Sequence, residues 1–220
     1  MNYFHNKDIW LNIYKPPLIT SARVVSIVKR LTKAKKVGHG GTLDPFATGV
    51  LPIALNKATK TSQEMMNATK KYIFKIKWGE FRDTDDIEGV VTERSEARPS
   101  SNDLICSALS FVGQIEQTPS KFSAIKIDGQ RAYELARKNI DFSIPSRIVN
   151  IYSLNILFNS KDYALFEVEC SKGTYIRSLA RDICLKNNVC GYVSCLKRTR
   201  VGKFDIDATI SLDLLKYGHY

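Results

Sequence analysis

No two cysteines in this chain share a C-x-x-C spacing, and the five present (Cys106, Cys170, Cys184, Cys190, Cys195) are odd in number. A structural zinc site needs closely spaced Cys and His ligands, and the three histidines, His5, His39 and His219, lie far apart. The pattern excludes a zinc finger and predicts reduced, mostly buried thiols in a cytoplasmic protein. No apolar run approaches the length of a membrane span, and the first eight residues, MNYFHNKD, lack the apolar core of a signal peptide. Internal repeats, low-complexity tracts and long linkers are also missing. Acid is scarce: 22 Asp and Glu face 33 Lys and Arg, a formal net charge of +11. With no membrane segment to explain it, that excess points to nucleic acid as the polyanionic partner. An apolar content of 44% and a charged content of 25% are those of an ordinary globular chain, and 220 residues suffice for a sizeable core.

Periodicity supplies the elements. Trp10–Tyr14 alternates as a strand that Lys15-Pro16-Pro17 ends. Thr20 or Ser21 then caps a helix whose Val24, Ile27, Val28 and Leu31 recur at helical spacing, with Val25 widening the stripe. From Arg23 to Val37 this segment carries Lys and Arg with no acid, which reads either as a solvated face or as a ramp for phosphates. Val50–Leu55 reads as a buried strand or a tight turn, and a helix is expected around Met65 and Met66. Tyr72–Trp78 alternates, with Tyr72, Phe74, Ile76 and Trp78 on one face. Tyr72 is then either plain core or, beside Lys70 and Lys71, a stacking platform for a base. Charge flips sign over Glu80–Glu96. This run lacks the ligand order of an EF-hand, so a turn at Asp86-Ile87-Glu88-Gly89 before the strand Val90–Thr92 is the simpler reading, and no metal is expected. Pro99–Asn102 opens a helix that buries Leu104, Ile105, Ala108, Leu109 and Val112. Gln117–Lys126 reads as loop giving way to strand, and Asp128-Gly129 signals a hairpin before a helix over Arg131–Lys138. Ile148–Phe158 and Tyr163–Cys170 are strands joined by a polar turn. Cys195–Phe204 is a basic tail, and Ile210–Leu215 a final short helix. Together these predict one α+β domain over 1–220.

Two stretches carry chemistry. Val37–Pro52 concentrates four glycines, two prolines, His39 and one carboxylate, Asp44, between basic segments. Pro45 fixes the backbone after Asp44 and biases Asp44 away from helix. This is either a plain Asp-Pro turn or a rigid mount for a catalytic carboxylate. Ser171–Ile183 has a glycine turn and then a helical stripe of Ile176, Leu179, Ala180 and Ile183. Arg177 therefore falls in a first helical turn, where the helix dipole disfavours a cation. It is either a surface arginine or the partner of a specific anion.

Gly38-His39-Gly40-Gly41-Thr42-Leu43-Asp44-Pro45-Phe46-Ala47-Thr48-Gly49-Val50-Leu51-Pro52 resembles the signature G-H-x-G-x-L-D-P-x-A-x-G-x-L-P of TruB-type tRNA pseudouridine synthases. The resemblance extends through Ala58-Thr59-Lys60, the Lys-x-Tyr element ending at Tyr72, Pro119–Lys126 and Ser171–Arg177, in the family's order and spacing, and covers Lys15-Pro16 to Leu196–Arg198. It implies a pseudouridine synthase fold: a mixed, mainly antiparallel sheet flanked by helices, with a central RNA-binding cleft. It also implies an isomerase that flips uridine-55 out of the tRNA T-loop and rejoins it through carbon, using no metal or other cofactor. In that family's terms Asp44 is the catalytic carboxylate, Arg177 its cationic partner and Tyr72 the ring that stacks on the base. His39 is the wedge beside the flipped nucleotide, Tyr175 and Leu196 line the pocket, and Lys15 and Lys60 join the RNA-binding set. The partner implied is the tRNA T-arm, for a monomer that needs no protein partner. Two departures stand out: Pro17-Leu18-Ile19 fills a place where the family usually has glycine, and Gly40 stands where threonine is common. The chain ends at Tyr220, so no C-terminal PUA domain is expected. Synthesis of pseudouridine in another RNA, or RNA binding without catalysis, are the alternatives.

Overall fold

The structure, a computed structural model, describes residues 4, 6–123, 125–127, 129–138 and 140–217. Asp128 of the expected hairpin, and His5 and His219, lie outside the described residues. The chain divides into two compact units. One comprises Met1–Ile73 with Leu196–Tyr220, the other Phe74–Cys195.

The first unit is built from β1 (Trp10–Lys15), α1 (Ser21–Thr32), β2 (Val37–His39), β3 (Thr48–Leu55), α2 (Ser62–Asn67) and the start of β4 (Lys70–Trp78). Thr20 caps α1, its hydroxyl accepting from the Arg23 N–H at 3.1 Å. Val24, Val25, Ile27 and Val28 are poor helix formers, each about 0.5 kcal/mol worse than alanine. Burial decides the matter: Val24 and Val28 are fully buried, and each such side chain contributes roughly 1.5–3 kcal/mol. They join Leu11, Ile13, Leu51, Ile53 and Leu55 in one cluster. β1 and β2 both pair antiparallel with β3.

The second unit takes β5 (Glu80–Arg82), β6 (Val91–Arg94), α3 (Ser101–Ser110), β7 (Gly113–Gln117), β8 (Lys126–Ile127), β9 (Gln130–Arg131), α4 (Ala132–Arg137), β10 (Arg147–Asn159), β11 (Tyr163–Cys170) and α5 (Ile176–Lys186). β10 pairs antiparallel with both β11 and β7, and β5–β6 and β8–β9 are small antiparallel hairpins. Phe74 and Phe166 stack at 5.1 Å between ring centroids, in the offset geometry rings prefer. The chain returns to the first unit inside β12 (Gly191–Val201), followed by β13 (Phe204–Asp205) and α6 (Leu212–Tyr217). There Lys197 and Arg198 pair parallel with Thr48 and Gly49, and β13 turns back on β12. Helices with mixed, mainly antiparallel strands meet the α+β expectation.

The structure differs from the sequence expectations at two places and gives the basic tail a form. Gln117, expected to open a loop, instead ends β7, because Arg147–Ile151 of β10 offers residues 113–117 a ladder. α3 buries Leu104, Ser107 and Ala108, whereas Ile105, Leu109 and Val112 are exposed. Its apolar arc is wider than its contact with β10 and α5, and the sequence does not say which half packs. The basic tail is largely β12, with Leu196, Arg198 and Val201 buried.

Candidate active site

β2 hands the chain to the glycine-rich loop. The Gly40 N–H donates to the Pro52 carbonyl at 2.8 Å. At the loop's tip Asp44-Pro45-Phe46-Ala47 forms a tight turn, closed by the Ala47 N–H on the Asp44 carbonyl at 3.1 Å, with proline where such turns favour it. Both neighbours of Asp44 are tied down. The buried Ser21 hydroxyl donates to the Leu43 carbonyl at 3.0 Å and accepts from the Leu43 N–H at 2.9 Å. The Pro45 carbonyl accepts from Lys15 Nζ and from the Leu18 N–H, each at 2.9 Å. Lys15, expected among the RNA-binding residues, is thus fully buried, and its second bond goes to the Pro16 carbonyl at 2.8 Å. Its visible work is to brace the turn. The Asp44 carboxylate itself rides half-buried on this mount.

Arg198 fixes the other side of the loop. Its guanidinium is buried and donates from Nε to Val50, from Nη1 to Thr42 and from Nη2 to Gly41, all carbonyls, at 2.8, 3.3 and 3.0 Å. Gly49 makes room for it: its φ is +105°, and a Cβ there would collide with the Arg198 backbone oxygen. In sequence Arg198 is one of several cations in the basic run Cys195–Phe204. Period-two alternation from buried Leu196 was the signal that could have placed it inside.

His39 closes β2 half-buried. Burial, then the Arg198 charge, hold its pKa below the ordinary 6.5, against a backbone hydrogen bond that raises it. Its Nδ1 accepts from the Gly41 N–H at 3.3 Å, which leaves the neutral ring's proton on Nε2. Tyr72 (β4) and Leu196 (β12) are buried in the same unit. Lys60 is exposed and, with Lys35, Lys36, Lys57 and Asp8, lines a concavity of about 450 Å³. Lys70, read as a neighbour of a stacking platform, instead donates to the Met65, Met66 and Ala68 carbonyls that end α2.

The two departures from the family pattern have local explanations. Leu18 adopts φ +65° where a glycine would sit without strain, and 84% of its surface is exposed. A side chain on Gly40 would collide with Met65 Cγ and press on Met65 Cβ at 3.0 Å and Trp10 at 3.3 Å, so methionine occupies the space a threonine would use.

In the second unit Tyr175, half-buried, is the N-cap of α5. Arg177, two residues on, is buried and meets Asp86 Oδ2 at 3.3 Å, the Thr84 carbonyl at 2.9 Å and the Phe122 carbonyl at 3.1 Å. The awkward cation at a helix start therefore has a specific anionic partner in Asp86, which the sequence reading assigned only to a turn. Both are true: Asp86 Oδ1 accepts from the Glu88 N–H at 2.9 Å and from the Thr84 hydroxyl at 2.7 Å. A second rung follows one helical turn on, where Arg181 meets Asp85 at 3.1 Å and Asp182 at 3.4 Å. Burial raises the Asp85 pKa, and Arg181 opposes that rise. Nothing in the sequence distinguished which acids of this run turn inward. Among the described residues no group of three His, Cys, Asp or Glu side chains is placed to hold a metal ion, and no helix is long and apolar enough to cross a membrane.

Comparison with known proteins gives a consistent answer. Residues 29–176 match the family "TruB family pseudouridylate synthase (N terminal domain)". The chain is 48% identical over 208 residues to tRNA pseudouridine synthase B of Bartonella bacilliformis, and 44% identical over 209 residues to that of Ehrlichia chaffeensis. Each alignment covers 94% of this chain, but 65% of the first relative and 71% of the second, so the chain spans about two thirds of their length. Among solved structures, a chain of a Cbf5-Nop10-Gar1 complex superposes with a TM-score of 0.77 at 32% identity, covering 98% of this chain and 56% of that one. The fold is that of the pseudouridine synthases, and the chain belongs to the TruB family of pseudouridylate synthases.

Proposed function

We propose that this chain converts uridine to pseudouridine in RNA, and that its substrate is uridine-55 in the tRNA T-loop. The observation that carries the reading is the mount of Asp44: a half-buried carboxylate on a proline turn whose two neighbours are pinned by Ser21, Lys15 and Leu18. A binding protein has no use for a carboxylate fixed so firmly on a chain of net charge +11. Relatives named tRNA pseudouridine synthase B at 44–48% identity favour tRNA over a guided RNA; the chain of the Cbf5-Nop10-Gar1 complex is more distant, at 32%.

The reaction breaks the N1–C1′ bond, turns the uracil and rejoins C5 to C1′. The C5 proton is lost and N1 regains one, so atoms balance without a co-reactant. Asp44 is the nucleophile or base. Arg177, held by Asp86, is assigned by the family resemblance as the cation of the catalytic set. Flipping the base costs a few kcal/mol. Tyr72 offsets it by stacking, at about 1–3 kcal/mol, while Tyr175 and Leu196 contact the same nucleotide. His39 meets the RNA as a neutral ring, and Lys60 meets phosphate. Within this reading the enzyme is a cytoplasmic monomer whose partner is the T-arm.

The test is direct. The purified chain is mixed with unmodified tRNA transcript, and pseudouridine is mapped at single-nucleotide resolution. One modification at uridine-55 is expected, and Asp44→Asn should bind the transcript yet form none. Modification at another position would refute the substrate, and turnover by Asp44→Asn would refute the catalytic role.

A further inference from the structure

Tyr175 is gripped from two sides by residues to which the proposed reaction assigns nothing. Gln117 and Arg147 stand directly opposite one another in the antiparallel ladder of β7 and β10. Gln117 is fully buried, and its carboxamide engages both peptide groups of Tyr175. The Tyr175 N–H donates to Oε1 at 2.7 Å, and Nε2 donates to the Tyr175 carbonyl at 3.1 Å. Arg147 lays its guanidinium over the Tyr175 ring, 4.6 Å from the centroid. Its Nε and Nη2 are buried without a hydrogen-bond acceptor among the described residues. A guanidinium buried in this way is costly unless something replaces the lost water, and here the negative face of the phenol ring does so.

The loop that delivers Tyr175 is fixed as well. The Ser171 N–H donates to the Asn150 carbonyl at 2.8 Å, and the Ser171 hydroxyl accepts from the Asn150 N–H at 2.9 Å. The Thr174 hydroxyl returns to the Ser171 carbonyl at 3.0 Å. Gly173, at φ +80°, carries the chain past the Arg147 guanidinium. Helix capping alone does not explain this arrangement, since the Tyr175 N–H lies outside the helical ladder and a cap makes no demand on the ring.

We propose that Gln117 and Arg147 are positioning residues that set the backbone and the ring of Tyr175 in the orientation in which it meets the target nucleotide. The inference rests on the assignment of Tyr175 as a nucleotide contact under the proposed function.

The experiment uses the full chain with fluorotyrosine installed at position 175, read by fluorine NMR, beside steady-state kinetics on a T-arm RNA. Gln117→Glu keeps an acceptor for the Tyr175 N–H but replaces the donor facing its carbonyl. Arg147→Met removes the cation and the planar face, and Arg147→Lys restores only the charge. In the folded variants the fluorine line should shift or broaden. kcat/KM should fall between about 10- and 100-fold, the penalty of a small misplacement of a substrate contact. Arg147→Lys should lie between Arg147→Met and wild type. A structural role alone would lower Tm and leave kcat/KM per folded molecule within twofold. The proposal is overturned if the line moves without a kinetic loss, if kinetics fall with the line unmoved, or if neither changes. Should Gln117→Glu not fold, the two Arg147 variants decide. A wild-type chain that makes no pseudouridine counts against the proposed function, whereas the fluorine line reads the grip on Tyr175 by itself.

Discussion

Arg198→Met is the sharpest probe of how the loop that carries Asp44 is held. Methionine approximates the volume of the arginine stem, so little cavity forms. What is lost is the fork: bonds of 2.8 Å to the Val50 carbonyl and 3.0 Å to that of Gly41, with a weaker one of 3.3 Å to Thr42. Hydrogen bonds from a charged donor contribute roughly 1.5–3 kcal/mol each. Two good ones outweigh the weak third, and relief from burying a cation offsets part of the loss. The net expectation is destabilisation by about 3 kcal/mol, read from urea unfolding at pH 7 with an unchanged m-value. Arg198→Lys, whose single ammonium cannot span carbonyls on both sides of the loop, should fall between.

A second readout separates charge from geometry. Arg198 is one of the influences that hold the His39 pKa below 6.5, after burial. Removing the charge in Arg198→Met should raise that pKa, and Arg198→Lys should leave it nearly in place. With three imidazoles in the chain, NMR titration can follow His39. Linkage gives the sign for stability. Because the folded pKa is the lower one, the unfolded chain binds the proton first as pH falls. The stability tied to neutral His39 is therefore complete above 6.5 and is lost as pH falls from there toward the folded pKa. Arg198→Met should narrow that window and shrink the acid-side loss. The account of Arg198 fails if both variants stay within about 1 kcal/mol of wild type, or if His39 titrates identically in all three proteins.

Four further outcomes are expected. Leu18→Gly should stabilise the chain by about 0.5–1 kcal/mol, because a left-handed leucine costs about 1–2 kcal/mol and glycine returns part of that as unfolded-state entropy; a lower Tm would contradict the strain at φ +65°. Gly40→Thr should destabilise through Met65, and Met65→Ala should recover part of the loss, so additive effects in urea unfolding would show that the two do not compete for one space. Asp86→Asn keeps acceptors for the Glu88 N–H and Thr84 hydroxyl but removes the charge facing Arg177, and should cost about 3 kcal/mol at pH 7 in the same assay. Lys60→Gln should weaken RNA binding and reduce the slope of log K against log salt by about 0.7–0.9; an unchanged slope would remove Lys60 from the phosphate contacts.

What the sequence made legible was whatever periodicity and backbone chemistry encode. β4, β10 and β11 alternate, α1 and α5 carry stripes, and the Asp44–Ala47 turn follows from its proline. The limits came where several side chains of one kind compete for few inward places. Three acids in Asp83–Asp86 look alike in sequence, yet Asp86 is buried against Arg177, Asp85 meets Arg181, and Asp83 accepts from the Val90 N–H across the turn. Cations were misjudged for a related reason. Lys15, Lys70 and Arg198 all count toward +11, but each is buried and donates to backbone carbonyls. A carbonyl left open at a turn or a helix end also accepts from a cation, and composition cannot tell it from a phosphate. The excess of basic residues therefore has two uses in this chain. Some face outward, as Lys60 does, where a polyanion can reach them. Others serve as internal struts, and of these Lys15 and Arg198 brace the loop that carries Asp44.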